Sequence, residues 1–246
     1  MKIAVLMPAF NAAAYIGDAL ASLLCQRDAA GLDIIVVDDG STDDTVAIVE
    51  RMAAPEVRLL RAPHGGVAAA RNVALAALAP DTDIVAWLDA DDLSPPGRMA
   101  TAVDVFRRGD VDMLIGMSRI FRATDADPLT PVFDADSATF RSAQLGGVML
   151  SAALAHRVGA FDPAMQQGED GDYIVRALEL VPRYRLSDDV VVYYRRHDHN
   201  LTLDGAGLRR GLALAALKAA RRRKAGAPPI PAGIFQSSEM WGRKQW

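Results

Sequence analysis

Ile84-Val85-Ala86-Trp87-Leu88-Asp89-Ala90-Asp91-Asp92 is an apolar run that ends in three carboxylates within four residues. A short apolar run bounded by polar punctuation predicts a buried strand. Three negative charges at its end repel one another unless a cation or a donor compensates them. Oxygen ligands in this arrangement suit Mg²⁺ or Mn²⁺, with the metal shared by substrate phosphates.

The Asp-x-Asp pattern alone carries little. It recurs at Asp125-Ala126-Asp127 and Asp134-Ala135-Asp136, inside a polar stretch with no strand leading into it. Those acids read as solvated loop charges. Only Asp89-Ala90-Asp91 sits at a strand end.

Working outward, apolar short runs alternate with stretches of helical periodicity. Strands are expected at 2–7, 33–37, 57–60 and 84–88, and helices at 11–27, 42–52 and 66–78. This alternation predicts an α/β domain with a mostly parallel central sheet and helices on both faces. Right-handed crossovers align the strand C-terminal ends along one edge, where ligands bind in such sheets. The polar residues fall there: Pro8, Phe10 and Asn11 after the first strand, Asp38 and Asp39 after the second, the three acids after the fourth. Asp39 is the stronger ligand candidate of its pair. Asp43 and Asp44 are explained by the start of the following helix. Gly65-Gly66 opens the third helix, and Arg71 in its second turn is one of few cations among these acids. It can reach a diphosphate or form an ion pair with an aspartate.

Composition narrows the function. The chain has 246 residues, 51% of them hydrophobic, a net charge of −4 and one cysteine. That charge gives no general attraction to nucleic acid, and none is expected as a partner. No intramolecular disulfide is possible, and Cys25 reads as part of a buried helix face. No run of about 18 apolar residues occurs, so no membrane span is expected. A cytoplasmic location follows as the expectation. Neither a Gly-x-Gly-x-x-Gly turn nor a Walker A loop follows the first strand, against a dehydrogenase or a P-loop NTPase.

The second half is less regular. Strands are expected at 111–116, 119–122, 146–150 and 190–197, a polar loop at 124–137, and helices at 152–158 and 173–180. Glu169-Asp170-Gly171-Asp172 leads into the last of these. A terminal helix at 208–224 carries Leu208, Leu212, Leu214, Ala215 and Leu217, then Arg221-Arg222-Arg223-Lys224. These cations suit a helix C-terminus, and a basic amphipathic helix can also rest on a membrane, here the inner face. The remainder, with two tryptophans, Trp241 and Trp246, reads as a poorly packed extension.

In order along the chain, Val5-Leu6-Met7-Pro8-Ala9-Phe10-Asn11, Val37-Asp38-Asp39-Gly40-Ser41, Gly66-Val67-Ala68-Ala69-Ala70-Arg71-Asn72, Trp87-Leu88-Asp89-Ala90-Asp91-Asp92, Gly159-Ala160-Phe161-Asp162, Glu169-Asp170 and Tyr194-Arg195-Arg196-His197 resemble a family 2 inverting glycosyltransferase of GT-A fold. The resemblance covers about residues 2–203. It implies a Rossmann-like GT-A domain over 1–204, with a nucleotide-sugar donor half at 1–110 and an acceptor half at 111–204, then a C-terminal helix at 205–224 and a tail at 225–246. It implies a metal-dependent transfer of sugar from a nucleotide-sugar, a UDP-sugar, to a hydroxyl of a glycan, lipid-linked or protein acceptor, as in cell-surface glycan or polysaccharide synthesis. Pro8, Phe10, Asn11 and Asp39 would hold the base, Arg71 would lie near the diphosphate, and Asp89 would face the ribose or sugar. Asp91 and His197 would bind Mn²⁺ or Mg²⁺, and Asp170 would be the catalytic base. Glu169 beside it would keep the Asp170 pKa from falling by like-charge repulsion, and Asp172 is a rival for the base. The segment Gly171–Arg176 departs from the family in lacking an early bulky aromatic. The alternatives are a nucleotidyltransferase and a non-catalytic nucleotide-sugar-binding subunit.

Overall fold

The computed structural model describes residues 1–52, 54–122, 131–133, 137–198 and 200–235. The second and third Asp-x-Asp triplets and Trp241 and Trp246 lie outside the described residues. Strands β1 (Lys2–Ala9), β2 (Gly31–Asp38), β3 (Val57–Arg61) and β4 (Ile84–Trp87) pair in parallel in the order β3-β2-β1-β4. The second half extends this sheet in mixed sense. β7 (Val148–Ser151) lies antiparallel between β4 and β5 (Met113–Phe121). The short β6 (Thr139–Phe140) pairs with β5 antiparallel, and β8 (Tyr184–Arg195) pairs with it in parallel.

Strand periodicity divides the core between the two faces of the sheet. Ile3, Val5, Met7, Ile34, Val36, Ile84 and Ala86 face α1 (Ile16–Leu24), α2 (Thr45–Met52) and α4 (Arg98–Phe106). The alternate residues Ala4, Leu6, Ile35, Val37, Val85 and Trp87 face α3 (Val67–Ala76), α5 (Ala152–Val158) and α6 (Glu169–Glu179). α3 meets the sheet through Ala68, Ala70 and Ala74, small side chains that let it lie close. The seventh helix, α7 (Gly205–Lys224), crosses α6, and the Gly211 backbone lies against Gln167 and Gly168 with no room for a Cβ.

Several expectations change. The first helix begins at Ile16, because Asn11 takes a left-handed φ of 49° and its neighbours are tied to the 41–45 loop. The two strands expected at 111–122 are one, β5, whose register against β8 shifts between Ile115 and Ser118. That irregularity interrupts the pattern. Residues 145–147 form a 3-10 turn before β7. The helix α4 occupies a segment to which the sequence pattern assigned nothing. Cys25 caps the C-terminus of α1 and is exposed rather than buried. The tail is not unpacked throughout: Ile234 is buried in the second core layer beside Ile230 and Phe235. The leucines of α7 do not form its buried stripe. Gly211, Ala215 and Ala219 do, while Leu212, Leu214 and Leu217 are exposed.

Candidate active site

The loops after β1, β2 and β4 open on one edge of the sheet, and each is held by bonds its sequence supplies. Ala9 O accepts from Asp39 N at 2.8 Å, so Ala9 faces β2 and Pro8 faces the β4 side. Pairing with β4 ends at Leu6, so the missing N–H of Pro8 costs no ladder bond there. Phe10 follows, exposed. Asn11 N donates to Ser41 Oγ at 2.9 Å, and Asn11 Oδ1 accepts from Thr42 N at 2.9 Å. Asn tolerates the left-handed conformation this clasp needs. Asp43 accepts from Thr45 Oγ1, Thr45 N and Ala13 N, and these bonds, against the opposing effect of burial, hold its pKa below the usual range.

Asp39 is buried at the end of β2. Its two oxygens accept from Gly65 N (2.8 Å) and Gly66 N (2.9 Å), and His64 Nδ1 lies 2.8 Å from Oδ2. The His64 ring stacks on Phe10 with centroids 4.4 Å apart. His64 thus joins two of the expected base-binding residues, although no sequence pattern singled it out. Its position beside Gly65-Gly66, just after β3, was the available signal.

The acids after β4 are divided between two buried arginines. Arg71, whose side chain is 2% exposed, donates from Nη2 to Asp89 Oδ1 (2.9 Å) and from Nη1 to Glu169 Oε1 (2.5 Å) and Asp170 Oδ1 (2.6 Å). One guanidinium therefore joins the strand-end acid of the first half to the helix-start acids of the second. Arg71 forms the ion pair with an aspartate that its position allowed. Arg195, at the end of β8, donates from its backbone N to Asp92 Oδ1 (2.9 Å), from Nε to Asp91 O (2.7 Å) and from Nη2 to Asp18 Oδ2 (3.2 Å). A third arginine, Arg98 of α4, donates to Trp87 O and Gly146 O, and burial pushes its pKa down to about 10.

These surroundings set the charge states. Burial, then repulsion from Asp91 and Asp89, raises Asp92 well above the carboxylate range. Loss of water and repulsion from Asp170 and Asp91 raise Asp89, outweighing the attraction of Arg71. Burial and then the adjacent Asp170 push Glu169 up to about 9. Burial acts the same way on Asp170, but the Arg71 charge and hydrogen bonds from Glu169 and Leu145 N prevail and lower it. Glu169 does not hold the Asp170 pKa up, as expected from repulsion. The two shifts run in opposite directions, Glu169 upward and Asp170 downward. Asp172, the proposed rival base, is enclosed by Arg176 (3.0 Å), Arg222 (2.9 Å) and Lys218 (3.6 Å), and ties α6 to α7.

Asp91 Oδ2 lies 3.0 Å from His197 Nε2, and the His197 ring stacks on Tyr15 at 4.3 Å. A carboxylate and an imidazole at this spacing fit Mn²⁺ or Mg²⁺, which complete their shells with phosphate oxygens and water. Among the described residues no group of three or more His, Cys, Asp or Glu side chains is arranged to hold a metal alone. Substrate oxygens would supply the rest.

The family model described as glycosyl transferase family 2 matches residues 4–131, just over half of the chain. The chain belongs to glycosyl transferase family 2. Among solved structures, this family 2 chain is similar to the mannosyltransferase PcManGT from Pyrobaculum calidifontis in complex with GDP-Man and Mn²⁺. The TM-score is 0.69 at 22% identity, over 93% of this chain and 65% of that one. S. aureus TarS 1-349 in complex with UDP-GlcNAc gives a TM-score of 0.67 at 20% identity, over 89% and 66%. The fold is accordingly GT-A. A Mycobacterium tuberculosis pre-mycofactocin glycosyltransferase is 32% identical over 194 residues, 70% of this chain and 39% of that relative. A Nostoc protein described as an uncharacterized glycosyltransferase is 34% identical over 45% of this chain and 34% of its own length. The chain thus spans little more than a third of these curated relatives.

Proposed function

We propose that this chain transfers a sugar, with inversion, from a UDP-sugar to an acceptor hydroxyl, with residues 1–110 forming the donor half and 111–204 the acceptor half. The observation that carries the reading is the Arg71 junction, which brings Asp89 at the donor edge and Asp170 at the start of α6 onto one guanidinium.

Phe10 offers a ring face for the base. The Asp39 carboxylate, with about four lone-pair sites, has capacity for a base N–H beyond the donors it already serves. Pro8 and Asn11 shape the loop beneath. Asp89 faces the ribose or sugar. A divalent metal held by Asp91 and His197 would neutralise charge on the departing diphosphate. Asp170, ionised at neutral pH, accepts the proton of the acceptor hydroxyl. The hydroxyl oxygen then bonds to the anomeric carbon while that carbon's bond to the diphosphate oxygen breaks, and the diphosphate leaves with the electron pair. A single base acting on a single displacement inverts the anomeric centre. Glu169, protonated, hydrogen-bonds Asp170 and so keeps the reacting proton on one site.

Calorimetry with UDP tests the donor site. The expected result is binding that requires Mn²⁺ or Mg²⁺ and weakens roughly 10–100-fold in Asp91→Ala, the range seen when metal sites lose a supporting group. Preference for GDP or dTDP over UDP would overturn the uridine assignment, and metal-independent UDP binding would overturn the Asp91–His197 site.

A further inference from the structure

The outward face of α7 has no role in the fold or in the proposed chemistry. Its inward face is fully used: Gly211, Ala215 and Ala219 pack, Lys218 pairs with Asp162, and Arg222 pairs with Asp172 and Glu179. Arg210, Leu214, Leu217 and Arg221 recur at intervals of four, three and four residues, so helical geometry puts them on one stripe. Leu214 is 38% and Leu217 48% exposed, and all four lie on the solvent side. Lys224 lies beside the stripe, and Arg209 and Arg223 add charge on the other exposed sides of the helix. None of these five cations pairs with an acid among the described residues, and no Asp or Glu occurs from 205 to 235.

We propose that this stripe docks on an anionic membrane surface, Leu214 and Leu217 entering the headgroup layer and the bracketing arginines meeting lipid phosphates. Leucines between long cationic side chains match that boundary, because each arginine can lay its stem along apolar surface while its head stays wet. The absence of acids makes the face complementary to negative lipid. No helix among the described residues is long and apolar enough to cross a membrane, so the contact is peripheral.

Co-flotation of the full chain with vesicles tests the proposal. One set is phosphatidylcholine alone, and the other contains one third phosphatidylglycerol. The chain should float with the anionic vesicles only, and should be released at about 1 M salt, where screening is short-ranged. Arg210→Glu with Arg221→Glu should weaken binding at least ~10-fold, and Leu214→Ser with Leu217→Ser should weaken it several-fold. Equal binding to both vesicle types, no binding to either, or indifference to the charge reversal would overturn it. So would a dimer, seen by light scattering and dispersed by Leu217→Asp, in place of vesicle binding, which would assign the face to a second copy. UDP binding measured without vesicles on the same preparation separates this outcome from failure of the transferase reading.

Discussion

Arg71 and Arg195 are both buried, and both hold acids of the one loop that follows β4, yet they hold different things. Arg195 binds the buried Asp92 side chain and the Asp91 backbone, and its guanidinium lies over Tyr15 and Phe121. With the backbone pairing of Leu93 and Tyr193 it fixes the loop to β8. Arg71 binds only side chains, and two of those reach water: Asp89 is 40% and Asp170 21% exposed. A buried cation held by carboxylates that are partly open to water is weak evidence for a stabilising role. On the proposed function, that asymmetry makes Arg71 a positioning residue for the site and Arg195 a part of the frame.

Substitution should separate them. Arg195→Met keeps the backbone bond to Asp92 but removes the guanidinium bonds to Asp91 O and Asp18, and should cost about 2–4 kcal/mol, a fall in Tm of roughly 10 °C for a chain of this size. Arg71→Met should cost stability less, about 1–2 kcal/mol, because its partners keep access to water or a proton. It should lower kcat about 100-fold by releasing Asp170 from its place. Thermal melts and turnover on the two variants check this, and the reverse order of Tm losses would break the distinction.

Glu169→Gln sharpens the comparison through pH. The folded Glu169 pKa is raised to about 9, so the folded chain holds a proton that the unfolded chain loses near the ordinary 4.5. Its contribution is full below the ordinary value and is lost as pH rises toward the folded one. Gln keeps an acceptor for Arg71 and a donor for Asp170 without that loss. The variant should therefore gain on wild type by about 1–2 kcal/mol between acid and mildly alkaline pH, read as Tm against pH. Parallel curves for the two proteins would show that Glu169 is ionised. The smallest effect expected is for Asn11→Ala, about 1 kcal/mol from the lost bond to Thr42, with weaker UDP binding as the loop relaxes.

Much of the donor edge was legible because its evidence is local. Buried parallel strands read as unbroken apolar runs, and their polar ends fall where the topology puts ligands. Asp43 at a helix start and the small residues of α3 could be read in the same way. The partners of the acids could not. Asp92 and Arg195 are 103 positions apart, and Arg71 and Asp170 are 99. Nothing near Glu169 or Asp170 in sequence indicates why their pKa values move apart, since burial, Arg71 and Leu145 N set the two shifts. The α4 helix did leave a signal, Pro95-Pro96-Gly97 followed by apolar residues at 99, 102, 103 and 106. On α7 the leucines drew attention to the wrong face, because glycine and alanine at every fourth position make the closer contact.

The account turns on Asp170 as the base beside an intact donor site. The direct measurement is nucleoside diphosphate release from a UDP-sugar with acceptor and Mn²⁺, made on wild type and Asp170→Asn, alongside UDP calorimetry on both. Turnover should fall about 1,000-fold with UDP affinity unchanged. Undiminished turnover in Asp170→Asn, with donor binding intact, would contradict it.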